Sequence, residues 1–355
     1  LIMNIFLDKD IDEICNLLTD TLQELEGKSI LISGAGGFLG RYFLKIISHY
    51  NSISNNKIAI TGVDNFISSD LLDDEIRSDE NIKLIQGDIC EKKILEDIGF
   101  HDYIVHAAGI ASPFYYRAKP LETLKVAVDG SRNLLDLAQQ MSARYIFFSS
   151  SEIYGDPHPD FVPIQESYRG NVATQGPRAC YDESKRLGET LSYIYHHEYG
   201  THTNIIRPFN IYGPGMQEMD YRVMPNFASR IKGGYPLRIY GPGTQTRTFC
   251  YIVDAMVGFL KVIVYGKPAE PYNIGNPTPE VTISDLADVF QKASGKKIDK
   301  VVVDYPDSYP ADEPMRRCPD IRKAKLQLSY KPEISLEVGV SRFLSWSENC
   351  YVGEQ

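Results

Sequence analysis

Apolar positions along this chain follow two different periods. Between Asp10 and Gly27, the residues Ile11, Ile14, Leu18, Leu22 and Leu25 fall at helical spacing. This predicts an amphipathic helix with Asp10 as N-cap, Glu13 three residues on, and Gly27 as its stop. From Ser29 the texture becomes short, unbroken apolar runs. They predict strands at Ser29–Ile32, Ile58–Val63, Ile82–Leu84, Tyr103–His106, Tyr145–Phe148 and Asn204–Arg207. Continuous rather than alternating hydrophobicity suits strands buried on both faces, as in a parallel sheet. Between them Leu121, Leu124, Val128, Leu135 and Ala138 mark one long helix, and Leu187, Leu191 and Ile194 another. Repeated β-α units predict an α/β fold, a Rossmann-type doubly wound parallel sheet.

After Phe209 glycine and proline become dense, as in Gly213-Pro214-Gly215 and Gly241-Pro242-Gly243, and the elements shorten. This predicts a smaller mixed α/β C-terminal substrate lobe. The expected division is an N-terminal helix at 1–27, a dinucleotide domain at 28–208 to which 238–269 returns, a lobe from 209–237 and 270–345, and a tail at 346–355.

Composition narrows the function. The chain has 355 residues, 43% hydrophobic and 24% charged, as expected of a globular protein. It shows no apolar run of membrane-spanning length and no signal-peptide pattern at its start, so a cytoplasmic location is expected. A net charge of −10 disfavours general binding to nucleic acid or anionic membrane. It leaves room for an anionic small molecule in a local basic pocket. The six cysteines show no C-x-x-C pair and no metal-site spacing, and read as reduced thiols. No metal is expected.

The first predicted strand runs into Gly34-Ala35-Gly36-Gly37-Phe38-Leu39-Gly40 and then an apolar helix. Gly34, Gly37 and Gly40 permit a tight turn, close approach to a pyrophosphate and close helix–strand packing. Phe38 and Leu39 open the helix, whose N-terminus offers N–H donors to phosphates. Asp64, with Asn65 beside it, ends the next strand 24 residues after Gly40. A carboxylate there can accept from both ribose hydroxyls and would repel a 2′-phosphate, which favours NAD over NADP. Asp88 and Ile89 follow the third strand and can meet the adenine. Ala107 and Ala108 follow the fourth, where small side chains let a flat cofactor approach. His106 reads as a core histidine.

Tyr181 and Lys185 are spaced to share one helix face. An ammonium near a phenol favours the phenolate, as does a positive nicotinamide ring, so Tyr181 can serve as a base. Ser150 follows the fifth strand, where ligands of doubly wound sheets lie, and can hydrogen-bond the reacting hydroxyl.

Together these residues resemble the extended short-chain dehydrogenases/reductases of the NAD-dependent epimerase/dehydratase family, from Lys28 to about Leu344. Several stretches are similar to the UDP-glucuronate decarboxylases (UDP-xylose synthases): Ala111-Ser112-Pro113 through Tyr116, Ser149 through Pro157, Gly176 through Glu183, Gly241 through Arg247, and Arg317 through Ala324. The resemblance implies that Asn210, Tyr240 and Arg247 hold a nucleotide diphosphate, with Arg222 and Val223 nearby. It implies that Tyr116 and Ser151 border the sugar, and that Glu152 and Arg317 serve decarboxylation. The implied reaction oxidises C4 of a nucleotide uronic acid, loses CO₂ from the 4-keto sugar, and reduces it again. A homodimer through helices at 119–140 and 181–198 is implied too.

The sequence departs from the decarboxylase pattern in having Ser150 for threonine, Ala127 for asparagine, and Glu122 where a lysine is common. Arg117 or Lys125 would have to replace that cation. A 4-epimerase or simple C4 dehydrogenase needs the same Tyr181, Lys185 and NAD without roles for Glu152 and Arg317. A 4,6-dehydratase would carry an Asp-Glu pair where Ser151-Glu152 stands. A non-catalytic NAD-binding scaffold has no need of Ser150, Tyr181 and Lys185 together.

Overall fold

The computed structural model describes residues 5–67, 72, 74–304 and 314–353. The ends of the first and last expected segments (1–4 and 354–355), and 305–313 of the substrate lobe, lie outside the described residues. All six predicted strands are present: β1 (Ser29–Ser33), β2 (Ala59–Asp64), β3 (Ile82–Gln86), β4 (Tyr103–His106), β5 (Arg144–Phe148) and β6 (Thr203–Pro208). A further strand, Pro271–Ile274, joins them in one parallel sheet, in the order Pro271–Ile274, β6, β5, β4, β1, β2, β3.

The unbroken apolar runs have a simple cause. Alternate residues of each strand feed two cores, one on each face. Ile30, Ile32, Val105, Ile146, Phe148 and Ile206 pack on one side, and Leu31, Ile104, Tyr145, Phe147 and Ile205 on the other. Each such fully buried side chain contributes roughly 1.5–3 kcal/mol. Strand order reverses between β1 and β4, which opens a crevice at the carboxyl ends of the strands.

Three expectations are corrected. The N-terminal helix is two helices, α1 (Asp8–Leu17) and α2 (Thr19–Gln23), broken at Leu18. All five apolar positions that predicted it are buried. Asp10 is not its cap: it lies inside α1, fully buried, accepting from Tyr251 Oη at 2.5 Å and Arg342 Nη1 at 2.8 Å. Second, Pro271–Ile274 pairs with β6 and so belongs to the large sheet rather than the substrate lobe. Third, the helix expected over 119–140 comprises Pro120–Lys125, a wider π turn at Val126–Gly130, and Ser131–Met141, with a separate short helix, Pro113–Ala118, before it. Gly130 sits where an added Cβ would stand 2.8 Å from Ile89 Cδ1. The second long helix runs Ala179–Tyr199 and stops at Gly200, whose φ is +71°.

The smaller lobe holds a parallel pair, Leu237–Tyr240 with Lys300–Val303. It also holds a three-stranded sheet in which Thr246–Arg247 lies between Val281–Thr282 and Arg316–Arg317. Register sets Arg317 directly opposite Arg247. The closing helix, Leu336–Cys350, runs into the segment expected as a tail.

Candidate active site

The site forms where β1, β4 and β5 end and the smaller lobe faces them. The turn after β1 is built by steric necessity. Gly34 has φ +79°, and a Cβ there would lie 2.7 Å from Ala108 backbone atoms. A Cβ on Gly40 would lie 2.0 Å from the Gly34 carbonyl oxygen. With side chains absent, α3 (Phe38–Ile53) begins at the cleft, and Gly34, Gly37, Phe38, Leu39, Gly40 and Ala107 line it. The bare backbone and helix N-terminus fit a pyrophosphate.

Asp64 ties this turn to β2. Its Oδ2 accepts from the Gly36 amide at 2.8 Å and its Oδ1 from the Phe66 amide at 2.7 Å. Burial raises its pKa above the ordinary carboxylate value, against the pull of those amides. Asn65 is exposed and accepts from the Ile67 amide. Asp88 accepts from the Cys90 amide, Ile89 is in the core, and Ala108 packs on Gly34. None of these five lines the cleft. His106 is fully buried between Ser33 Oγ, 2.8 Å from Nδ1, and the Val126 carbonyl. Burial pushes it down to about 3, so it is a neutral core residue.

Tyr181 and Lys185 both line the cleft from helix Ala179–Tyr199. Lys185 Nζ donates to the Phe148 carbonyl at the end of β5 at 2.8 Å and stands 5.8 Å from the Tyr181 ring centroid. Burial pulls this ammonium down to about 8. Burial pushes the Tyr181 phenol up to about 12, only partly offset by a hydrogen bond with Ser150 and the charge of Arg222. Desolvation thus opposes the acidifying role that the sequence reading gave to the ammonium and a positive nicotinamide ring together. Tyr116 stacks on Tyr181 with centroids 5.3 Å apart and planes at 15°.

Ser150 caps the turn Ser151–Tyr154, its Oγ accepting from the Glu152 amide at 3.2 Å. Ser149, Ser151 and Glu152 line the cleft beside it. Glu152 is gripped by Arg317, whose Nη1 donates to Oε1 at 2.5 Å and Nη2 to Oε2 at 2.7 Å. Deeper in the smaller lobe, Arg247 Nη1 donates to the Thr246 carbonyl at 2.8 Å and Nη2 to that of Pro314 at 2.6 Å. Asn210, at φ +46°, donates to the Thr248 carbonyl. Arg222 pairs with Asp220 at 2.5 and 2.6 Å. Asn210, Arg222, Val223, Tyr240 and Arg247 all line the same cleft as Tyr181.

Charge reverses sign locally. Among the described residues that line the cleft, Arg178, Lys185, Arg222, Arg238, Arg247 and Arg317 stand against Glu152 alone, in a chain of net charge −10. Among the described residues, Ser149 Oγ, Asn226 Oδ1 and Arg317 Nε are buried without a hydrogen-bond partner. Such a cleft suits a polyanion that brings its own acceptors and donors.

A sequence model of the NAD dependent epimerase/dehydratase family matches residues 30–275. The chain belongs to this family. Among its relatives are UDP-glucuronic acid decarboxylase 3 of Arabidopsis thaliana, 38% identical over 88% of this chain and 86% of that protein. UDP-glucuronic acid decarboxylase 1 of Xenopus tropicalis is 37% identical over 92% of this chain and 73% of that one. Among solved structures, a variant of UDP-glucuronic acid 4-epimerase from Bacillus cereus, in complex with a fluorinated UDP-glucuronic acid and NAD, is similar. It is 27% identical with a TM-score of 0.77, covering 91% of this chain and 100% of that one. An NAD-dependent family member needs a nicotinamide beside its tyrosine, and here Gly34, Gly37, Ala107, Tyr181 and Lys185 share one cleft.

Sequence reasoning gave no role to Arg178 beyond its place in the motif before Tyr181, reached Asn226 only as the end of a segment near the nucleotide, and missed Arg238. Arg178 had a signal: it stands three residues before Tyr181, so the turn that opens the helix brings both to one side. Asn226 lay in a segment that the family resemblance placed near the nucleotide; Arg238 had no signal, because only the fold carries it in. Neither Arg117 nor Lys125 lines the cleft, and Lys125 and Glu122 are exposed.

Proposed function

We propose that this chain converts UDP-glucuronate, or a closely related nucleotide uronic acid, to a UDP-pentose and CO₂ through a 4-keto sugar. The observation that carries the reading is Arg317 and Glu152 locked together beside Ser150 and Tyr181, in a cleft whose other charged lining residues are cations. Its relatives named as decarboxylases of UDP-glucuronic acid support the substrate.

In this reading Arg247, Asn210, Tyr240, Arg222 and Val223 hold the nucleotide diphosphate. Arg247 lines the cleft and offers a planar fork suited to phosphate oxygens. Tyr116 and Ser151 border the sugar. The glycine turn, Ala107 and Asp64 hold NAD. The chemistry that NAD supplies when bound is reversible hydride acceptance at the sugar's C4, with a positive ring that favours the Tyr181 phenolate. Ser150 orients the 4-hydroxyl and Tyr181 takes its proton. Lys185 keeps positive charge beside the phenol. Once C4 is a ketone, the carboxylate on C5 is β to a carbonyl. The C5–carboxyl bond breaks, CO₂ leaves, and its electron pair becomes an enolate that Arg317 stabilises. A proton from water, relayed by Glu152, takes the place of the departed CO₂ on C5. Tyr181 then returns its proton to the C4 oxygen.

A homodimer through the helices at 119–140 and 181–198 belongs to this reading. It is supported by Leu121, Leu187, Tyr193 and Ile194, large apolar side chains exposed on those helices. The division into a dinucleotide domain and a substrate lobe belongs to it too. So does a cytoplasmic location, with which six free cysteines agree; no described helix is long and apolar enough to cross a membrane.

The test is incubation with UDP-glucuronate and catalytic NAD, reading CO₂ and the sugar by chromatography. CO₂ with stoichiometric UDP-pentose supports the reading. A C4 epimer without CO₂ indicates the epimerase, and net reduction of NAD a dehydrogenase. Binding without turnover on a broad nucleotide-sugar panel indicates a scaffold.

A further inference from the structure

Glu152 is held by more than Arg317. Arg178, at the mouth of helix Ala179–Tyr199, donates from Nη2 to the same Glu152 Oε2 that Arg317 Nη2 reaches. The two arginines come from opposite lobes, and both are buried, 8% and 3% exposed. Both line the cleft beside Ser150, Ser151 and Tyr181. A single carboxylate thus accepts from two guanidinium groups in a dry pocket.

Two guanidiniums face Glu152. A second carboxylate, Asp182, has its Oδ2 3.6 Å from Arg178 Nε. Asp182 Oδ1 has no hydrogen-bond partner and is buried, and burial together with Glu152 raises its pKa. Asp182 is therefore a weaker counter-ion than an ordinary aspartate. A buried guanidinium without a partner is costly, and two guanidiniums splayed about one carboxylate make the geometry that recognises carboxylates generally.

We propose that Arg178 and Arg317 form a two-arginine receptor for the sugar's carboxylate, and that the substrate takes the place that Glu152 fills in this structure. The inference rests on the uronic-acid reading above. Exchange gives Arg178 a role in specificity that Arg317 does not carry alone. It also couples recognition to chemistry: the incoming carboxylate releases Glu152 beside the carbon that will need a proton. A neutral hexose has no carboxylate to exchange, so Glu152 stays on the arginines and the sugar gains nothing from them.

The experiment is calorimetric binding of UDP-glucuronate and UDP-glucose to the NAD-loaded protein, read as the ratio of the two dissociation constants. In Arg178→Met the preference for the acidic sugar is expected to fall at least about tenfold, roughly 1.4 kcal/mol, with UDP-glucose affinity nearly unchanged. Arg178→Lys, which keeps the charge but not the fork, should lose part of that preference. In Glu152→Gln the competing charge is gone, and the preference should rise even as turnover falls. A ratio unchanged in both Arg178 variants overturns the proposal, as does a fall in Glu152→Gln. If the parent protein itself shows no preference for UDP-glucuronate, the uronic-acid reading fails, which is a different result.

Discussion

Tyr181 and Lys185 stand one helical turn apart, and burial moves both away from their charged forms. The phenol rises to about 12 and the ammonium falls to about 8. Tyr181→Phe keeps the stacking on Tyr116 and removes only the proton carrier. It should lower turnover by at least about a thousandfold while leaving NAD affinity within a few-fold, measured by steady-state kinetics and fluorescence titration. Normal turnover would refute the base assignment. As pH rises through about 8, Lys185 loses the charge that favours the phenolate. The rate should therefore decline on the alkaline side, and a profile flat from pH 7 to pH 10 would contradict this role. Because the folded-state pKa lies below the ordinary lysine value, burying the ammonium costs stability below about 8, and that cost is relieved as pH rises further. Arg317→Ala should depress CO₂ release more than formation of the 4-keto sugar, seen by rapid quench; an equal fall would leave Arg317 a binding residue only. The pairing of Tyr181 and Lys185 was legible from their spacing together with the glycine-rich turn upstream and the predicted helix they open, not from spacing alone. Their displaced pKa values were not, because desolvation depends on chain segments far away in sequence.

The turn between β1 and α3 is the element most fully legible in the sequence, since Gly34 and Gly40 have steric reasons that hold in any such turn. Gly40→Ala pushes a methyl into the Gly34 carbonyl. It should abolish measurable NAD binding and lower the unfolding midpoint in urea; unchanged NAD affinity would show that the turn is not the cofactor cradle. Helix α1 was legible in its apolar stripe and misleading in its polar cap. Asp10 has the residue type of a cap, yet long-range partners at Tyr251 and Arg342 claim it. Asp10→Ala takes the acceptor from the buried Tyr251 hydroxyl, while Arg342 keeps Glu13, and should cost about 2 kcal/mol, within the range for an unsatisfied buried group. The π turn in the 119–140 helix was not read from the sequence, because Leu124, Val128 and Leu135 keep helical spacing across Gly130, which packs close to Ile89.

At the scale of the whole molecule, the sheet brings Gly34, Ser150, Tyr181 and Lys185 to one edge, while a separate small sheet carries Arg247 and Arg317 to meet them. The first set follows from the rule that ligands sit beyond strand carboxyl ends, so sequence order sufficed to find it. The second rests on two-residue strands that leave no hydrophobic signature, and only the resemblance to a family pointed there. The central claim is that one site oxidises, decarboxylates and reduces the same sugar without releasing it. The direct test is turnover of UDP-glucuronate carrying deuterium at C4, in excess over enzyme and NAD, with product mass read by mass spectrometry. The account predicts a UDP-pentose that retains the deuterium, because the hydride taken from C4 returns to C4. Loss of the label to bulk cofactor, or a labelled product that still holds its carboxylate, would contradict it.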